Sequence, residues 1–107
     1  MDYKQYDIVI VNLEPTIGSE IKKTRPYVIV SPDEMNKYLR TITITPITSQ
    51  SKAYPTRVQI QLEEKTNWVV IDQIRTIDKS RVLKSISKLN YDEITQVKNI
   101  IRETFVD

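Results

Sequence analysis

Short β-branched runs, repeated along the chain and separated by polar turns, constrain this fold most. Thr41 to Thr48 (TITITPIT) alternates with period two, the pattern of a strand with one face turned inward. Arg57 to Leu62 (RVQIQL) alternates as well, with Val58, Ile60 and Leu62 on one face. Tyr6 to Leu13 and Arg25 to Ser31 are dense in Val and Ile and read as strands. Asn67 to Asp72 and Gln73 to Ile77 follow as two strands or one bent strand, and Val82 to Leu89 as the last. Pro26 opens its strand, where a missing ladder donor is tolerated, whereas Pro46 predicts a bulge or an edge.

The connections carry their own signals. Glu14 to Thr24 holds a Pro and the only glycine, Gly18, and reads as a loop in which Gly18 takes a positive φ or a close approach. Ser49 to Pro55 is a polar loop, and Glu63 to Thr66 is expected as a turn. Ser31-Pro32-Asp33-Glu34 predicts a short helix ending near Tyr38, with Ser31 as cap, Pro32 first in the helix and Glu34 completing a capping box. Asn90 with Glu93 three residues on predicts the start of the long helix. Ile94, Val97, Ile100/Ile101 and Phe105 then recur at helical spacing as one apolar face. The expected class is mainly β with a C-terminal helix (α+β), a small barrel or curled sheet.

At 107 residues the expectation is one domain, 1–107, whose core is small enough that a dimer interface would help it. The start, MDYKQYDIVIVNLEP, does not read as a signal peptide, and no apolar run approaches membrane length, so a cytoplasmic protein is expected. The net charge of +2 is compatible with phosphate contact and equally with a mixed-charge surface. There is no cysteine, which removes disulfides, thiolate nucleophiles and zinc–cysteine sites. There is no histidine, which removes the usual general base and every Ser–His device. Chemistry here falls to Arg, Lys, Asp, Glu, Ser, Thr and Tyr.

Three polar clusters interrupt the apolar pattern. Gly18-Ser19-Glu20, then Lys22 and Lys23, run into Arg25-Pro26; Arg presents a planar fork that matches two phosphate oxygens. Thr48-Ser49-Gln50-Ser51-Lys52 ends an alternating strand, a favoured place for a site. Asp72 to Arg81 alternates polar and apolar residues, as a half-exposed strand with cross-strand charge pairs also does. Each cluster alone reads first as ordinary surface or turn, and none is specific by itself.

Taken in order, these blocks resemble the MazF/PemK (Kid) toxins. The shared elements are Pro15, Gly18-Ser19-Glu20, Arg25-Pro26 and Ser31-Pro32, then Thr48-Ser49-Gln50-Ser51-Lys52 with Tyr54-Pro55, then Asp72-Gln73-Ile74-Arg75-Thr76-Ile77-Asp78-Lys79 with Arg81. The resemblance spans essentially the whole chain. It departs at Tyr6, Thr24 and Ala53, where small residues, often Gly, are common in the family.

The resemblance implies an SH3-like barrel of the CcdB/MazF/PemK type. It also implies sequence-specific, metal-independent cleavage of single-stranded RNA to 2′,3′-cyclic phosphate and 5′-hydroxyl ends, with no cofactor. Arg25 and Thr48 match the family's catalytic Arg and Thr. Glu20 is the one carboxylate considered as a helper base, or as a group that orients Arg25. Ser19, Glu20, Ser49, Gln50, Ser51, Lys52 and Gln73 are the candidate RNA-binding residues. Tyr54 and Trp68 are candidates to stack on bases, Trp68 competing with a core role in its apolar strand. The implied partners are RNA, a small antitoxin and a second copy of the chain. The alternatives are a CcdB-like gyrase-binding poison and an inactive homologue that binds only antitoxin.

Overall fold

The computed structural model describes residues 1–13, 24–50 and 54–106. Its strands are β1 (Asp7–Asn12), β2 (Thr24–Ile29), β3 (Thr41–Thr48), β4 (Arg57–Leu62), β5 (Lys65–Val70), β6 (Arg75–Asp78) and β7 (Val82–Lys88). Two α-helices, α1 (Asp33–Tyr38) and α2 (Tyr91–Ile101), complete it. The strands join in the order β4-β5-β3-β2-β1-β7, with β6 also paired to β3. The architecture is thus mainly β, a curled sheet with a C-terminal helix, as the sequence pattern predicts.

β3 organises the sheet. One edge pairs with β2, from Ile29↔Ile44 to Tyr27↔Pro46. The other edge is shared: β6 holds its first half, up to Ile44↔Arg75, and β5 its last two residues, Ile47↔Val69 and Thr48↔Trp68. Pro46 lies at the handover, unpaired with either. The Thr43 carbonyl accepts from Val30 N–H, so by alternation Thr45 also faces β2 and the Pro46 nitrogen faces the handover, where no ladder donor is needed. Between Val69 and Arg75 the chain takes six residue steps against three on β3, from Ile47 to Ile44. The surplus is taken up by a 3-10 turn, Ile71–Gln73, so β5 and β6 behave as one strand bent by an outward bulge.

The sheet buries side chains on both faces. One face packs Ile8, Val28, Ile47, Val58, Ile60 and Val69 against Val97 of α2, with Ile94, Ile100 and Ile101 alongside. The other packs Val9, Val11, Tyr27, Ile29, Ile42 and Ile44 with Ile77 and Val82. Each fully buried Val or Ile contributes roughly 1.5–3 kcal/mol, which is why β3, buried on both faces, reads as nearly continuous Ile and Thr.

Several local expectations need correction. Ser31 does not cap α1; the cap position is Pro32, without a side-chain bond. The Ser31 hydroxyl is buried and accepts from Thr43 N–H while donating to Asn36, so it ties α1 to β3 instead. The turn after β4 is only Glu63-Glu64, both at positive φ (53° and 63°), and pairing resumes at Lys65. Tyr6 precedes its strand at φ 71°, with its N–H given to Ile29 and its carbonyl accepting from Leu89. Asp72 and Gln73 stand on the 3-10 turn and not in strands. Phe105 is exposed: beyond Ile101 the helix widens into a π-turn, Arg102–Val106, which breaks the 3.6-residue period that would have turned it inward. Gly18 lies outside the described residues.

The start of α2 follows the sequence closely. Asn90 and Glu93 form a reciprocal capping box. Glu93 is buried, and its second carboxylate oxygen accepts from the Gln61 N–H of β4 at 2.9 Å. One side chain therefore satisfies the helix entry and locks it to the sheet. Glu93→Ala should lower unfolding stability by about 2 kcal/mol, because two backbone donors lose their acceptor. Glu93→Gln, keeping one acceptor oxygen, should lose less. Urea midpoints check this; an unchanged midpoint for Glu93→Ala would contradict the lock.

Candidate functional site

A groove of about 330 Å³ opens where β2, β3 and the 3-10 turn meet, lined by Val11, Leu13, Arg25, Tyr27, Pro46, Gln73 and Arg75. Its floor is apolar, with Val11 and Tyr27 buried. Among the described residues its rim carries two guanidinium groups and an amide and no carboxylate. Such a rim suits an anion held by bidentate hydrogen bonds.

The β2–β3 register decides which residues share this groove. Tyr27 faces Pro46, and two residues further along each strand lie Arg25 and Thr48. The pairing ends at Tyr27↔Pro46; alternation puts both residues on the same face just beyond it, Arg25 within the groove lining and Thr48 outside it. Arg25 is exposed and pairs across to Val11. Thr48 is half-buried, and its hydroxyl accepts from Gln50 N–H and donates to the Gln50 carbonyl, each at 3.2 Å. A ligand that takes up the hydroxyl proton replaces the Gln50 carbonyl as its acceptor, while Gln50 N–H keeps the oxygen in place. Ser49 and Gln50 are exposed in the bend that follows. Gln73 reaches the groove because the bulge between β5 and β6 projects it past Pro46.

Of the other sequence candidates, Tyr54 is exposed and Trp68 half-buried on β5, opposite Thr48. Ser19, Glu20, Ser51 and Lys52 lie outside the described residues, as do Lys22 and Lys23. Arg75 escaped the sequence reading as a site residue. Its signal was there: it follows Gln73 by two residues. Arg57 was also missed. Its guanidinium pairs with Asp72, bonds the Thr56 hydroxyl at 2.9 Å and lies 5.4 Å from the Tyr54 ring centre. That pair neutralises the carboxylate of Asp72, which precedes Gln73 in the chain. A larger groove, about 630 Å³, lies between the N-terminus and α1, but it mixes Asp2, Asp33 and Glu34 with Lys4, Lys37 and Lys79 and gives phosphate no net attraction. Among the described residues no group of three or more acidic side chains gathers to hold a metal.

Desolvation pushes the Asp72 carboxyl up, but bonds from Thr56, its own backbone and Arg57 outweigh this and hold it below the ordinary range. A depressed carboxylate stabilises the fold above its unfolded pKa, about 3.9, and loses that contribution as pH falls through the lower folded value. Because the group is part-exposed, the effect should stay under about 1 kcal/mol. Asp72→Asn should therefore be less stable than the parent at neutral pH, with the gap closing in acid below about pH 4. Urea unfolding from pH 7 to 2 measures it; a gap independent of pH would contradict the pairing.

Comparison with known proteins bears on this groove. A family profile described as PemK-like, MazF-like toxin of type II toxin-antitoxin system matches residues 4–105. The chain is 35% identical over 101 residues to the endoribonuclease MazF of Staphylococcus saprophyticus, spanning 89% of this chain and 84% of that protein. Among solved structures, a MazE-MazF crystal structure from Deinococcus radiodurans superposes with a TM-score of 0.80 at 23% identity, over 96% of this chain and 95% of that one. An endoribonuclease in complex with its cognate antitoxin from a mycobacterial species gives 0.79 at 17% identity, over 94% and 91%. This chain belongs to the PemK-like, MazF-like family of toxins of type II toxin–antitoxin systems.

Proposed function

We propose that this toxin is a sequence-specific endoribonuclease that cuts single-stranded RNA without a metal, using Arg25 and Thr48 on one phosphodiester. The observation that supports this reading is the β2–β3 register, which, continued two residues past Tyr27↔Pro46, sets Arg25 and Thr48 on one face, beside a cationic groove that Arg25 lines. RNA supplies its own nucleophile. The 2′-oxygen bonds to phosphorus as its proton leaves, the P–O5′ bond breaks, and O5′ takes up a proton. The products are a 2′,3′-cyclic phosphate and a 5′-hydroxyl. A protein without histidine can assist such a step by holding it in line and stabilising charge on the phosphoryl oxygens.

Arg25 grips two phosphoryl oxygens with its fork. Thr48, its oxygen held by Gln50 N–H, turns its proton from the Gln50 carbonyl to a phosphoryl or leaving oxygen. Arg75 adds a second cation for the same or a neighbouring phosphate, and Gln73 reads a base edge beside it. Ser49, Gln50, Ser51, Lys52 and Ser19 extend the contact along the strand, and Glu20 serves as helper base or orients Arg25. The protein works in the cytoplasm as a homodimer, neutralised by an antitoxin whose tail occupies the groove. The relatives solved with MazE or a cognate antitoxin support that partner. No helix among the described residues is long and apolar enough to cross a membrane.

Purified protein in EDTA with a long mixed-sequence RNA tests this. Cuts should recur at one short motif with 5′-hydroxyl ends. Arg25→Ala and Thr48→Ala should each cut about 100- to 1,000-fold more slowly. Arg25→Lys should fail nearly as badly, since a point charge does not reproduce the fork. Intact RNA across several unrelated substrates would overturn the ribonuclease reading, and near-normal rates for Arg25→Lys would overturn the bidentate grip.

A further inference from the structure

Trp68 stands directly opposite Thr48 in the β3–β5 pairing and directly opposite Gln59 in the β4–β5 pairing. Directly opposed residues in antiparallel strands project from the same face, with Cβ atoms about 5 Å apart. Thr48, Trp68 and Gln59 therefore form one row across β3, β5 and β4. The neighbouring row, Ile47, Val69 and Val58, faces the α2 side and is fully buried. The Trp68 row is not: Gln59 is exposed, and Thr48 and Trp68 are half-buried. A large indole on this face, directly opposite Thr48, has an apolar surface available to a ligand. From the ribonuclease reading, with the scissile phosphate at Thr48, it follows that a base flanking that phosphate lies above this row.

We propose that Trp68 is the stacking platform for a base adjacent to the scissile phosphodiester, and that Gln59 reads that base's edge. The occupant is a nucleobase of single-stranded RNA. Stacking tolerates any base, because every base has a π-face. The Gln59 amide, offering both donors and an acceptor, supplies the preference. The subsite extends the RNA track from the β2–β3 groove across β5 to β4.

Trp68 is the only tryptophan, so intrinsic fluorescence reports this position alone. The probe is a mixed-sequence, 2′-O-methyl RNA carrying a terminal dye, which lacks the free nucleophile and stays intact. Dye anisotropy reads binding, and Trp68 emission reads the subsite. The expected result is quenching of Trp68 that saturates with the anisotropy signal. Trp68→Ala should weaken binding about tenfold or more, with Trp68→Phe largely restoring it. Gln59→Ala should relax the base preference at one position beside the mapped cut while cleavage persists. Binding without any change in Trp68 emission would overturn the subsite and leave the ribonuclease reading standing. An emission change that follows protein dilution and not RNA would place Trp68 in a protein interface, which also overturns it. No binding together with no cleavage of ordinary RNA would overturn both.

Discussion

The divided edge of β3 is the constraint on which the rest of the structure depends. One strand is paired along one side by β2 and along the other by β6 and then β5. The change of partner forces the three-residue bulge that projects Asp72 and Gln73, and it makes room for Pro46 at the handover. The opposite edge fixes the Tyr27↔Pro46 register that carries Arg25 and Thr48 to one face. A slip of one residue would turn every one of these side chains to the wrong side. Ile42, Ile44 and Ile47, buried on opposing faces of the same strand, oppose such a slip. Core packing and site geometry are therefore set by the same residues.

The groove combines an apolar floor with two guanidinium groups. Arg25 and Arg75 present planar forks of donors, and Asp72, next to Gln73 in the chain, is paired with Arg57. In the proposed reaction their contribution is electrostatic preorganisation, with proton movement left to the substrate's own hydroxyls and to groups around the groove. This is chemistry open to a chain with no histidine and no cysteine. It also accounts for where the polar residues sit: at strand ends, where backbone rigidity from the sheet reaches side chains that face solvent.

Much of this was legible in the sequence. Alternation located β3 and β4 to the residue, and Asn90 with Glu93 marked the start of α2, because local chemistry and tertiary structure agree there. Where they part, the reading fails for physical reasons. Ser31 has the right residue type for a cap, but β3 claims its hydroxyl. Glu63-Glu64 lacks the Asn-Gly signature of a two-residue hairpin turn, so the turn reads too long. Phe105 keeps helical spacing with Ile101, but a π-turn intervenes. Arg25 and Thr48 are 23 positions apart in the sequence, and only strand pairing brings them to one face. Family resemblance pointed to both, whereas Arg75 and Arg57 became visible only with the bulge and the groove.

The central claim is that Arg25 and Thr48 serve one phosphodiester together. A double-mutant cycle on kcat/KM for RNA cleavage, with Arg25→Ala, Thr48→Ala and the double variant, tests it most directly. Two donors to one phosphoryl group are coupled, so the double variant should lose less than the product of the single losses by about tenfold or more. Losses that simply multiply would contradict the claim and assign the two residues to independent tasks.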